Sequence, residues 1–193
     1  MARKRTAWAT AALIGTTLTA AAIPAQATAS TTTQTTAACP TGWGSRAKTG
    51  GAGTTEPLTN VRAGRHACYD RLVIDVPGAG KGVGYRVGYV ERLHQDGSGR
   101  PVPVAGKAVL EIRVMAPAYD PETGAPTYPG RAGRPLPGVD LTGYRTFRDA
   151  RFAGSFEGES QLGLGLRARL PFRVTQTADR VVVDVAHNWT GSR

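Results

Sequence analysis

Residues Gln161-Leu162-Gly163-Leu164-Gly165-Leu166-Arg167-Ala168-Arg169-Leu170-Pro171-Phe172-Arg173-Val174 decide the fold class. Apolar side chains occupy every even position from Leu162 to Val174, and glycine, arginine, glutamine or proline fills the odd ones. A helix repeats its apolar face every 3.6 residues, whereas an extended chain alternates faces at every residue. A two-residue period held this long therefore excludes an amphipathic helix and requires strand. Pro171 has no amide hydrogen for a ladder, so the run is either an edge strand or breaks there into two.

The next run outward, Arg180-Val181-Val182-Val183-Asp184-Val185, repeats the pattern of Arg71-Leu72-Val73-Ile74-Asp75-Val76. In the earlier run Leu72, Ile74 and Val76 share one face, and Arg71, Val73 and Asp75 the other. Arg71 and Asp75 are about 13 Å apart along one strand, too far to pair with each other. If the two runs pair antiparallel about Val73 and Val182, Arg71 faces Asp184 and Asp75 faces Arg180. Parallel pairing would set like charges side by side. Cross-strand ion pairs thus account for Arg71, Asp75, Arg180 and Asp184 as structural residues.

Further strands are expected over Leu58–Arg62, Tyr85–Leu93, Ala108–Val114 and within Tyr144–Phe156. A hairpin is expected to turn at Asp96-Gly97 into Val102-Pro103-Val104. Lys48–Glu56 is Gly/Thr-rich and reads as loop. Pro117–Asp140 holds Pro117, Pro121, Pro126, Pro129, Pro135 and Pro137, a density at which no regular element is expected, and a loop of that length is functional or mobile. No stretch carries a sustained helical period. With 25 glycines and 13 prolines marking turns, the chain reads as all-β, an antiparallel β-sandwich or open barrel with a long Pro-rich loop.

Arg3-Lys4-Arg5, the small and apolar run Ala7–Ile23, and Ala25-Gln26-Ala27 have the order of a signal peptide over residues 1–27, with 29 as the alternative end. The run is too short and too rich in Thr and Gly for a membrane span. Residues 28–38 are a Thr/Ala-rich flexible spacer, and 39–193 form the β-domain. Export makes a Cys39–Cys68 disulfide the expected state of the only two cysteines. The net charge of +10 falls to +7 when Arg3, Lys4 and Arg5 are removed (10 − 3), which favours anionic partners. No nucleic-acid-reading motif is present.

Signatures of catalysis are weak. Gly154-Ser155-Phe156-Glu157-Gly158 lacks the spacing of a nucleophile elbow, and His66, His94 and His187 are scattered without a metal-ligand spacing. Gly78–Gly84 (GAGKGVG) lacks the hydroxyl residue and helix of a phosphate loop, so it reads as a turn. Glu157 and Glu159, like Asp70 and Asp75, are paired acids in sequence only. Asn188-Trp189-Thr190 matches a glycosylation sequon. No cofactor, metal or catalytic residue is assigned. The candidate binding residues are Trp43, Tyr69, Tyr119, Tyr128, Tyr144 and Trp189, aromatics on polar or loop segments beside Arg and Lys. A cleft joining Glu157, Glu159 or Asp70 to a histidine would instead favour an unrecognised hydrolase.

Gly42-Trp43-Gly44-Ser45, His66-Ala67-Cys68-Tyr69-Asp70-Arg71-Leu72-Val73-Ile74-Asp75, Gly84-Tyr85-Arg86-Val87-Gly88-Tyr89-Val90, Asp96-Gly97-Ser98-Gly99 and the closing Arg180–Val185 strand together resemble the AMIN-like domain of secreted actinobacterial proteins. The resemblance runs from about Cys39 to Trp189. It implies kinship with the AMIN domain, a non-catalytic β-sandwich that places amidases and secretins at the cell envelope by binding peptidoglycan, and in which a similar R-x-V-x-D strand occurs. The implied role is a secreted, non-catalytic module for cell-wall glycan or another anionic envelope polymer. The alternative is an extracellular protein-interaction module or protease inhibitor presenting loop 117–140.

Overall fold

The computed structural model describes Cys39, residues 42–80 and residues 82–189. The signal-peptide and spacer assignments, Lys81 of the glycine-rich turn and Thr190 of the sequon lie outside the described residues.

Twelve strands and no helix are found among the described residues, and every ladder between strands is antiparallel. In chain order they are β1 Lys48–Gly50, β2 Asn60–Arg65, β3 Tyr69–Asp75, β4 Tyr85–Val90, β5 Leu93–His94, β6 Pro101–Val102, β7 Ala108–Val114, β8 Arg134–Pro135, β9 Phe147–Phe156, β10 Glu159–Leu166, β11 Phe172–Thr177 and β12 Arg180–Ala186. One sheet has the order β1-β4-β7-β10-β9-β8, the other β11-β12-β3-β2, and β5 and β6 form a small separate hairpin.

The two large sheets bury one common core. Leu72 and Ile74 of β3 and Val181, Val183 and Val185 of β12 pack in one cluster with Val87, Leu110, Ile112, Leu162 and Leu164 from the other sheet. This is a β-sandwich, and the open-barrel alternative is set aside.

The Leu162–Val174 run divides into two strands, with the break between Leu166 and Phe172 and Pro171 at its end. Its first part is β10, central in the six-stranded sheet, and its second is β11, at the edge of the four-stranded one. The chain changes sheets across residues 167–171, and Pro171 stands directly before the new strand. Leu162, Leu164 and Leu166 point into the main core. Gly163 and Gly165 on the opposite face lie beneath Leu93, Val104 and Ala105, where a Cβ on Gly165 would overlap the Ala105 carbonyl oxygen. A second small core of Leu93, Val102 and Ala153 forms there, with Val104 and Val109 packed against it.

Two loop readings are corrected. Lys48–Gly50 is a strand on the edge of β4, too short for its own residues to show a period. The Pro117–Asp140 segment is not structureless. Leu58 N–H donates to the Pro117 carbonyl at 2.7 Å, Gly133 N–H to Phe152 O at 2.8 Å and Leu136 N–H to Ala150 O at 2.9 Å. Arg134–Pro135 adds a short strand beside β9. Proline removes donors but leaves carbonyls, and the remaining amides suffice to bind the segment to the sandwich.

Candidate functional site

Strand β3 pairs with β12 in the antiparallel register that sets Arg71 opposite Asp184, Val73 opposite Val182 and Asp75 opposite Arg180. On the far side of β12, β11 sets Arg173 opposite Asp184 as well. Three strands thus place Arg71, Asp184 and Arg173 in one row across the outer face of the four-stranded sheet.

Asp184 is 1 % exposed, yet its carboxylate is fully hydrogen-bonded. Arg71 grips it with Nε at 2.6 Å and Nη2 at 2.9 Å, and Arg173 donates from Nε at 2.8 Å. Two guanidiniums share one buried negative charge, so the row carries a net positive charge, and both guanidiniums remain partly in water. A shared carboxylate fixes their orientation, and what it leaves uncompensated is available to an anion.

The next row along the face differs. Asp75 is held in a two-point contact by Arg62 of β2, at 2.9 and 3.1 Å, while Arg180 stands 3.9 Å from it and grips Asp179 at 2.9 and 3.0 Å. The Asp75–Arg180 pairing expected from sequence is therefore only a loose contact. Arg62, diagonal to Asp75 on the neighbouring strand, reaches it with better geometry. This row is neutralised internally.

The aromatics expected to bind do not act alike. Trp43 and Tyr69 meet, with ring centroids 5.6 Å apart, beside the charged row. The Cys39–Cys68 disulfide contributes to this meeting: Cys68 directly precedes Tyr69, and Cys39 lies four residues before Trp43. Arg173 lies 4.6 Å over the Trp43 ring and 5.6 Å over Tyr69, Arg71 lies 5.3 Å over Tyr69, and His66 stacks on Tyr69 at 4.4 Å. The rings buttress cations, which their electron-rich faces attract, instead of offering bare flat area.

Tyr128 is corrected from binding residue to core residue. It is 3 % exposed, packs edge-on against Phe152 at 5.5 Å, and its hydroxyl has no partner among the described residues. Burial pushes that phenol up to about 12. Tyr144 stacks on Phe147 at 5.5 Å, Tyr119 lies half-buried in the Pro-rich segment, bridged to Pro126, and Trp189 is 59 % exposed. Sequence reasoning missed Arg173 and His66. Arg173 was within reach, because extending the β12 register across the Ala178-Asp179 turn sets it opposite Asp184.

The acid groups weighed for hydrolysis separate. Glu157 occupies the tip of the β9–β10 hairpin, and Glu159 lies 3.6 Å from Arg113. Asp70 does meet a histidine: His187 Nε2 is 3.1 Å from Asp70 Oδ1, and both are buried. Burial would raise the Asp70 carboxyl, but hydrogen bonds from the Thr146 hydroxyl and amide, together with His187, outweigh it and hold the group below its ordinary value. The Thr146 hydroxyl donates to the carboxylate and not to the imidazole, so the trio lacks the nucleophile-to-base hydrogen bond of a catalytic triad. It fastens β3 to the chain entering β9 and leaving β12.

The protein-family model for the AMIN-like domain matches residues 56–187. The chain belongs to the AMIN-like domain family. Membership marks it as an envelope-associated module. The match contains Tyr69, Arg71, Arg173 and Asp184; Trp43 and Trp189 lie outside it. No curated protein and no solved structure matches the chain.

Proposed function

We propose that this AMIN-like domain is a secreted, non-catalytic module that binds cell-wall glycan through the glycan's acidic groups. The observation that carries the reading is the Arg71–Asp184–Arg173 row, in which two oriented guanidiniums share one buried carboxylate beside Trp43 and Tyr69. Arg71 and Arg173 receive the anionic group, and the aromatic pair holds them in place. Family membership supports an envelope target.

Purified peptidoglycan should retain the protein in a pull-down at low salt. Arg173→Ala should weaken retention at least tenfold, since it removes one cation and the cover of Trp43. Loss of the wild-type interaction altogether, or retention of Arg173→Ala at the wild-type level, would refute the assignment.

A second reading, a protein-interaction module, draws on the Pro-rich segment. Its tip, residues 121–126, is exposed yet ordered: Asp120 Oδ1 accepts from the amides of Glu122 at 2.9 Å and Thr123 at 2.8 Å, and Asp120 N–H donates to Ala125 O at 2.8 Å. A rigid exposed tip suits a protein partner or a protease cleft. Protease inhibition assays with the intact protein and with a Gly-Ser replacement of residues 121–126 test it: no inhibition by the intact protein rejects the inhibitor reading.

A further inference from the structure

A second group of cations, apart from the Arg71–Arg173 row, gathers around two adjoining basins. Lys107, just before β7, Arg148 of β9 and Arg167, just after β10, line one basin of about 600 Å³ with Ala105 and Gly106, and no Asp or Glu lines it. An adjoining basin of about 410 Å³ shares Gly106 and Lys107 and adds Arg169, with Glu91 its single acid. None of these four cations forms an ion pair among the described residues.

The arginines are nevertheless held. Arg148 donates to the Tyr144, Arg145 and Phe147 carbonyls at 2.9–3.2 Å, Arg167 to the His187 carbonyl and to Asn188 Oδ1, and Arg169 to the Ser45 carbonyl and hydroxyl at 3.4 Å while lying 4.8 Å over the Tyr89 ring. Neutral acceptors orient a guanidinium without cancelling its charge. The backbone beneath is equally fixed: Lys107 N–H donates to Leu166 O at 2.8 Å, Ala105 N–H to Asp149 Oδ2 at 2.9 Å, and a Cβ on Gly106 would come within 2.7 Å of the Leu166 carbonyl oxygen.

We propose that these two basins form a second binding site, separate from the Arg71–Arg173 row, for a polymer bearing repeated phosphodiester groups. Lys107, Arg148 and Arg167 arrive from three different segments, so their donors converge from several directions. The two non-bridging oxygens of a phosphodiester accept charge-assisted hydrogen bonds from guanidinium and ammonium donors placed in this way. Arg169 in the adjoining basin gives the next phosphate of a chain its own cation, which a single small anion would leave idle. The exposed Trp189, whose indole N–H donates to the Arg169 carbonyl at 3.1 Å, sets an apolar ring at that end for the sugar or polyol between phosphates.

The test titrates the intact protein with a poly(glycerol phosphate) at low ionic strength. Inorganic phosphate and phosphatidylglycerol vesicles serve as separate probes. The wild type should bind the polymer, and Lys107→Glu with Arg148→Glu should weaken binding at least thirtyfold while leaving peptidoglycan retention intact. Arg173→Ala should show the reverse pattern, so failure of one site is separable from failure of the other. Both reversed residues lie at the surface; if the double variant nevertheless melts lower than wild type, Lys107→Gln with Arg148→Gln is read by the same criterion. Wild-type affinity in the charge-removed variant, no polymer binding by the wild type, or binding confined to vesicles or to free phosphate would each overturn the proposal.

Discussion

Replacing Asp184 by asparagine would keep the side chain's shape and remove the charge that Arg71 and Arg173 share. Breaking a fully buried ion pair costs about 3–5 kcal/mol, but both guanidiniums here keep part of their hydration, so a loss of about 2 kcal/mol is expected. Urea unfolding of Asp184→Asn measures it, and an unchanged midpoint would mean that the row contributes nothing to stability. Tyr128 predicts the opposite sign. Its hydroxyl is buried without a partner among the described residues, and its ring already packs on Phe152. Tyr128→Phe removes a desolvated polar group and keeps the packing, so unfolding free energy should rise by about 1 kcal/mol. A destabilised Tyr128→Phe would reveal a hydrogen bond that the hydroxyl makes.

At the scale of elements, β10 shows what a sequence period discloses and what it hides. Alternation identified the strand and its core face, Leu162, Leu164 and Leu166. It could not disclose that Gly163 and Gly165 face a second layer, because Leu93, Val104 and Ala105 come from a hairpin and loop far away in sequence. Those glycines are the space that layer occupies. Gly165→Ala should therefore cost at least about 2 kcal/mol, since its methyl meets fixed backbone and not a movable side chain. It should also weaken polymer binding, because the displaced segment carries Gly106 and Lys107. Chemical denaturation of Gly165→Ala checks the first effect, and wild-type stability would mean that residues 104–106 move aside freely. The same distinction explains the missed strands: Lys48–Gly50 and Arg134–Pro135 are too short to carry a period and exist because β4 and β9 pair with them.

Over the whole molecule, the strands of the sandwich were largely legible in the sequence, down to the Arg71–Asp184 register, because alternation and charge complementarity act locally or between two similar runs. The site was less so. Whether an aromatic ring is core or surface depends on what closes over it, which separates the buried Tyr128 from the exposed Trp189 despite similar surroundings in sequence. Asp70 is a further case: in sequence it is one acid next to a tyrosine, and in the fold it fastens the two sheets to each other. It belongs to β3 of the four-stranded sheet, and the Thr146 amide and hydroxyl, both 2.6 Å from it, precede β9 of the other. Its folded-state titration lies below the ordinary carboxylate value of about 4, because the hydrogen bonds from Thr146 and His187 prevail over burial. A lowered folded value means that the unfolded chain binds the proton more readily. The contribution of Asp70 is then complete above the ordinary value and is lost as pH falls through the lower, folded one. Exposed carboxylates that are also lowered, Asp120, Asp140 and Asp179, add to the acid limb of the wild type, so the comparison has to be with Asp70→Asn. Unfolding free energies of the two proteins, measured by urea titration between about pH 2 and pH 7, should differ most at neutral pH and converge toward the acid end. Parallel curves over the whole range would show that the carboxylate's charge has no part in joining the sheets.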